Sequence, residues 1–145
     1  MKAWKWPSLL SIKGYTMCFG CGQENPIGLK LRFRKDGGMI RTEFTPSEFH
    51  QGWPGIVHGG IINTLLDEAM GYATFFEELY CVTAKTEVRI RQPISVGQQL
   101  FISSTITRKT RKLIETEAKI ALEDGTPVAE AKATMYIVNE ANERM

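Results

Sequence analysis

Apolar residues crowd the stretch from Gly60 to Phe76 so densely that no single helical face holds them all. Ile61, Ile62, Leu65, Leu66, Ala69, Met70, Tyr72, Ala73, Phe75 and Phe76 cover most of the circumference. A narrow stripe of Gly60, Asn63, Thr64, Asp67, Gly71 and Thr74 interrupts them at three- and four-residue spacing. The pattern predicts a helix from about His58 to Leu79, about 33 Å long at roughly 1.5 Å per residue. A helix this apolar belongs in an interior, where an ionised Asp67 is costly unless something nearby uses it. The stripe is small or polar and should line something other than hydrocarbon.

Elsewhere the period is two. Leu29-Lys30-Leu31-Arg32-Phe33-Arg34 and Ile40-Arg41-Thr42-Glu43-Phe44 alternate on either side of Asp36-Gly37-Gly38, which signals a hairpin. A loop holding Pro46, Gly52, Pro54 and Gly55 leads to the helix. Four strands are expected after it: Val82 to Ile94, Gln98 to Arg108, Leu113 to Leu122 and Val128 to Val138. Gly97, the Lys109–Lys112 run and Asp124-Gly125 mark the turns, and such short connections imply antiparallel neighbours. In the first of these strands Val82, Ala84, Thr86, Val88 and Ile90 alternate against Thr83, Lys85, Glu87, Arg89 and Arg91, so Thr83 falls on the side turned away from the helix. Residues 1–28, rich in Gly, Pro and Trp, read as an N-terminal arm with a short helix near Pro7–Lys13; residues 29–140 read as one domain. One sheet cannot bury a helix on all sides. Either the sheet curls around it and a second copy completes the enclosure, or loops cover the remainder.

With 145 residues, 43% of them apolar and 23% charged, the chain suits a single soluble domain. A net charge of +2 is too weak to argue for nucleic acid, and no basic-aromatic platform stands out. Local basic clusters still leave room for small anionic ligands. The N-terminus lacks the apolar run of a signal peptide, and Asp67 and Glu68 interrupt the longest apolar segment, which argues against a membrane span. Three cysteines, an odd count without a secretory signal, point to a reducing cytoplasm.

The candidate chemistry gathers at the helix. Asp67 is placed to act as a general base or nucleophile; the plainer reading is an acid paired to Lys or Arg across an interface. Glu68, about 100° further round, is the fallback acid. Gly59 offers a bare backbone N–H at the positive helix end, or merely permits a tight turn. His58 positions that turn or touches the reacting carbonyl. Cys18-Phe19-Gly20-Cys21 has metal-ligand spacing but is half a zinc site, which Cys81, His50 or a partner chain would have to complete.

Four segments, in order, resemble the PaaI-type acyl-CoA thioesterases of the hotdog fold, over roughly Cys18 to Val138. His58-Gly59-Gly60 with an acid nine residues after the histidine resembles the helix signature. Val82-Thr83-Ala84 followed by Pro93-Ile94 resembles the third strand, with Thr83 sixteen residues after Asp67. Thr110-Arg111-Lys112 resembles a Gly-Arg-Lys turn, and Asn25-Pro26 with Gly28-Leu29 resembles the lead-in to the first strand.

The resemblance implies an α+β hotdog fold, a curved antiparallel β-sheet wrapped around one long central helix. It implies a homodimer or dimer of dimers, cytoplasmic, without nucleic-acid or membrane partners. It further implies hydrolysis of fatty or aryl acyl-CoA to free acid and CoA, with no metal or redox cofactor. Asp67 would drive attack, the Gly59 N–H would polarise the thioester carbonyl with His58 beside it, and Thr83 of the other subunit would orient water. Relatives often carry Asn or Gln six residues before the histidine. That position is Gly52 here, and Gln51 is the expected secondary polar contact. Lys109, Arg111, Lys112 and Arg91 are expected to dock the CoA phosphates. Phe49, Trp53, Tyr72, Phe75 and Phe76 would wall an acyl tunnel, or be plain core. The alternative is a non-catalytic hotdog domain that binds or senses acyl-CoA. A hotdog hydratase ranks lower, because its histidine and acid sit in a different motif context.

Overall fold

The computed structural model describes residues 15–138, so the expected helix at Pro7–Lys13 lies outside the described residues. Its elements follow the order of the hydrophobic pattern: β1 (Arg34–Asp36), β2 (Met39–Phe44), α1 (Gly59–Phe75), β3 (Cys81–Ile90), β4 (Leu100–Lys109), β5 (Leu113–Ala121) and β6 (Pro127–Ile137). The strands form one curved sheet in the order β1-β2-β4-β5-β6-β3, with every neighbouring pair antiparallel. Among the described residues no helix is long and apolar enough to cross a membrane.

Alternation fixes the inner face of the sheet. Ile102 on β4, Ala118 and Ile120 on β5, and Ala129, Ala131, Ala133 and Met135 on β6 are buried against Ile62, Leu65, Leu66, Ala69 and Met70 of α1. Ser104, buried on β4, donates its hydroxyl to the Ala69 carbonyl at 2.5 Å, which satisfies it and ties the helix to mid-sheet.

Four expectations shift. Leu29 and Leu31 are buried as their alternation requires, but Lys30 adopts φ 55 and breaks the strand. The Leu29 and Leu31 N–H groups donate instead to Phe19 O and Gly20 O at 2.8 and 3.0 Å, and the regular ladder begins only at Arg34. The helix is 17 residues, not the longer span expected. Glu78 takes a left-handed φ of 58, while Leu79 N–H donates to Thr74 O and Glu78 N–H to Phe75 O, a Schellman-type closure.

β3 and β4 are consecutive but not neighbours, against the rule that short connections imply hairpins. The intervening segment is laced to the loop before the helix: Val57 N–H donates to Ile94 O, Val96 N–H to Gly55 O and Gly97 N–H to Pro46 O. β4 therefore joins β2, and among the described residues β3 pairs only with β6 and stands at the sheet edge. Lastly, the β3–β6 register slips between Thr83 and Lys85. Thr83 faces Met135, whereas Thr86, Val88 and Ile90 face Ala133, Ala131 and Ala129. The bulge reverses the parity of the strand. Thr83 thus shares the face of Met135, toward the helix, and not the outer face that simple alternation assigns it.

Candidate active site

The start of α1 is built by its own sequence. His58 is extended (φ −62, ψ 136) and its Nδ1 accepts the Gly60 N–H at 2.8 Å, so the imidazole is the N-cap. Gly52 packs against it: a Cβ there would meet His58 Cα and Cδ2 at 3.3 Å. Gln51 accepts the Gly55 N–H through Oε1 at 2.7 Å and closes its own loop. The Gly59 N–H has no acceptor among the described residues, as befits the first turn of a helix. It borders an open cleft of about 470 Å³ lined by Gly52, Trp53, Ile56, Val57, His58 and Gly59. Trp53 is 81% exposed there, a large apolar surface with no cover.

The polar stripe of α1 is open only in its first half: Gly60, Asn63 and Asp67 are exposed, Thr64 and Gly71 are half-buried, and Thr74 is buried, against the expectation, with its hydroxyl donating to Gly71 O at 2.8 Å. Asn63 and Thr64 fold back, donating to Gly59 O and Gly60 O at 2.8 and 2.9 Å. Asp67 has neither a hydrogen bond nor an ion pair among the described residues. Although solvent reaches it, the surrounding protein pushes its carboxyl above the usual aspartate range through desolvation. Gly59 and Asp67 lie eight positions apart on one straight helix, about 12 Å along its axis. One chain therefore does not bring them to one carbonyl. Thr83, exposed on the edge strand, faces the same layer as the helix.

Glu68 is committed elsewhere. Cys18 Sγ lies 3.5 Å from its Oε1, and Cys18, Cys21 and Glu68 form a cluster. Burial raises the Glu68 carboxyl and pushes the Cys21 thiol up to about 12. Neither expected third ligand is present: Cys81 sits beside Thr74, and His50 Nδ1 accepts the Ser47 N–H at 2.9 Å, with burial lowering its pKa. The cysteine motif was visible in the sequence, but its meeting with Glu68 spans 50 positions and carries no local signal.

The basic residues divide. Lys109, Arg111 and Lys112 are exposed at the β4–β5 turn, which Thr110 fastens by accepting the Leu113 N–H at 3.0 Å. Arg91 follows the far end of β3 and pairs with Glu130 at 2.5 Å, so it does not join that turn. Its ion pair spends its charge within the outer sheet face, where Lys85 likewise pairs with Glu87 at 3.1 Å. The aromatics divide too. Phe49 and Trp53 are exposed before the helix, whereas Tyr72, Phe75 and Phe76 pack together at its far end, with Phe33 stacked on Tyr72 at 4.5 Å. They do not form one continuous wall in a single chain.

The sequence profile described as Thioesterase superfamily matches residues 54–129. Acyl-coenzyme A thioesterase THEM4 of Rattus norvegicus is 33% identical over 82 residues, covering 47% of this chain and 35% of that protein. The matches thus span only 35% to 42% of the length of such curated relatives. Among solved structures, a hypothetical thioesterase from Streptococcus pneumoniae TIGR4 with coenzyme A superposes with a TM-score of 0.71 at 20% identity, over 75% of this chain and 86% of that one. The E. coli PaaI protein of the phenylacetic acid degradation operon gives 0.71 at 18% identity, over 77% and 81%. At these identities the structural likeness establishes the shared hotdog fold. The streptococcal protein has also been solved with alanine at an aspartate and, separately, at a threonine sixteen positions later.

Proposed function

The chain belongs to the thioesterase superfamily, and from that premise we propose that it hydrolyses acyl-CoA thioesters to free acid and CoA at a site shared by two copies. The observation that carries this reading is a separation. A Gly59 N–H and an Asp67 carboxylate, both without a partner among the described residues, stand on one helix about 12 Å apart along its axis, too far to serve one carbonyl. Each is half a site. β3 supplies the means of joining them: it is a ten-residue strand bonded, among the described residues, on one side only. Its pairing with β3 of a second copy continues the sheet and lays two α1 helices side by side.

In that arrangement the Gly59 N–H of one chain, backed by the helix dipole, stabilises the oxyanion that forms when the thioester carbonyl is attacked. Asp67 of the other chain removes a proton from the attacking water, or attacks the carbonyl itself, breaking the C–S bond to expel the CoA thiolate and leaving an anhydride that water hydrolyses to the free acid. Thr83, turned to the helix layer by the bulge, orients the water. His58 acts by holding the turn, since its Nδ1 is already engaged. Lys109, Arg111 and Lys112 receive the CoA phosphates. The aspartate–threonine spacing of sixteen, equal in the streptococcal variants and here, supports this pairing of roles. The dimer, its doubling to a tetramer and a cytoplasmic setting belong to the same reading.

The test is thiol release from a panel of aliphatic and aryl acyl-CoAs, comparing the native chain with Asp67→Ala. Turnover should fall by about a hundredfold or more while CoA affinity is kept, because the carboxylate acts in the transition state. Equal rates in both proteins reject the assignment. Tight acyl-CoA binding by the native chain without any thiol release would leave a sensor in place of an enzyme.

A further inference from the structure

We propose that Cys18, Cys21 and Glu68 form a zinc site, with solvent as the fourth ligand, that fastens the loop before β1 to the central helix. The Sγ atoms of the two cysteines and a carboxylate oxygen of Glu68 all lie within 4.8 Å of one another. Cys18 Sγ and Glu68 Oε1 are 3.5 Å apart. A tetrahedral zinc with sulfur at about 2.3 Å and oxygen at about 2.0 Å spaces those two ligands by about 3.5 Å, so this edge of the tetrahedron is already formed.

The backbone is shaped around the carboxylate. Gly22 N–H donates to Cys18 O at 2.8 Å, turning the loop so that both sulfurs face inward. A Cβ at Gly20 would lie 2.3 Å from Glu68 Cδ, and one at Gly22 would lie 2.3 Å from Thr16 O. Any side chain at position 20 would occupy the space through which Glu68 reaches the sulfurs. Two thiolates and one carboxylate suit zinc, whereas calcium and magnesium take oxygen donors alone.

The position gives the ion a purpose. Phe19 and Gly20 accept the N–H groups of Leu29 and Leu31, both of them core residues. Glu68 directly follows Asp67, so the clamp would also hold the helical turn from which Asp67 projects. The inference stands on the cluster alone and holds whether or not the chain hydrolyses acyl-CoA.

The experiment uses the full chain, purified under reducing conditions without chelator and dialysed into metal-free buffer. Mass spectrometry of the metal content should find one zinc per chain. Replacement by cobalt should give a thiolate charge-transfer band with the visible bands of a tetrahedral site. Chelation should lower Tm and added zinc should restore it. Cys18→Ser, Cys21→Ser and Glu68→Gln should each weaken zinc binding at least about 100-fold, and Cys81→Ser should leave it unchanged. Should the serine variants fail to fold, Glu68→Gln, which keeps the side-chain volume, and the cobalt spectrum of the native chain decide the matter. No zinc uptake by the reduced folded chain, a cobalt band that survives loss of either cysteine, or a Cys18–Cys21 disulfide that takes up no zinc after reduction would overturn the proposal.

Discussion

The face of α1 that meets the sheet carries Ile62, Leu65, Leu66, Ala69, Met70 and Ala73, all buried; the face turned away carries Gly60, Asn63 and Asp67, all exposed. On the first face every side chain finds apolar neighbours, and the helix is held by packing and by the Ser104 bond to Ala69 O. On the second face the Asp67 carboxylate has no partner among the described residues, and the burial it does experience disfavours its charge. Neighbouring residues of one helix therefore serve different ends. The inner face holds the chain together. The outer face presents the groups that the proposed reaction would use.

The largest effect that sharpens this contrast is Gly59→Pro. His58 already has the extended geometry that precedes proline, and proline is well tolerated at the first helical position. The substitution removes the one N–H assigned to the oxyanion and leaves the helix in place. Turnover should fall about a hundredfold or more, with circular dichroism and Tm nearly unchanged. Retained turnover would break the link between the outer face and the chemistry.

Leu66→Ala tests the inner face. Leu66 is fully buried, and its truncation should destabilise the chain by about 2–5 kcal/mol in denaturant titration. Asp67→Ala, one residue on, should leave stability intact while lowering turnover about a hundredfold or more. A large stability loss in Asp67→Ala would erase the distinction between the faces.

The smallest effect is a pH dependence. Desolvation raises the native Asp67 pKa above that of the unfolded chain, so the native state binds the proton more tightly. That contribution is fully present below the unfolded pKa and is lost as pH rises through the native one. Asp67→Asn lacks the loss, and so should melt slightly higher than the native chain at pH 7, with the difference vanishing in acid. Because Asp67 must be ionised to act, the acid limb of the native rate profile should lie above the ordinary aspartate range. A profile flat down to that range, or a lower Tm for Asp67→Asn at pH 7, would count against the unpaired carboxylate.

Much of this arrangement was legible in the chain because it follows from periodicity. The helix, its open stripe and six strands in order came from spacing and turn residues alone. What escaped depends on contacts distant in sequence or on backbone states without a residue signature. Lys30 and Glu78 adopt positive φ without being glycine, so neither the late start of β1 nor the early end of α1 was marked. The bulge at Thr83 exists only in the pairing with β6, and it moves Thr83 from the outer face to the inner one. The crossing between β3 and β4 depends on bonds from residues 94–97 to the loop before the helix. Arg91 read as a free cation because Glu130 lies 39 positions away. At the site, the Glu68–Cys18 contact across 50 positions carried no local signal, but the residue types were legible, and so was the distance between Gly59 and Asp67, which follows from their eight-residue spacing on a helix.

That distance yields the central claim, a reaction site made by two chains, and complementation tests it most directly. Asp67→Ala and Gly59→Pro chains, each inactive alone, are co-refolded and assayed for thiol release. If Gly59 of one chain works with Asp67 of the other, every mixed dimer contains one site with both groups intact, and activity should return. If the two groups serve a site within one chain, every site in the mixture carries a defect, and a mixture as inactive as its parents would contradict the account.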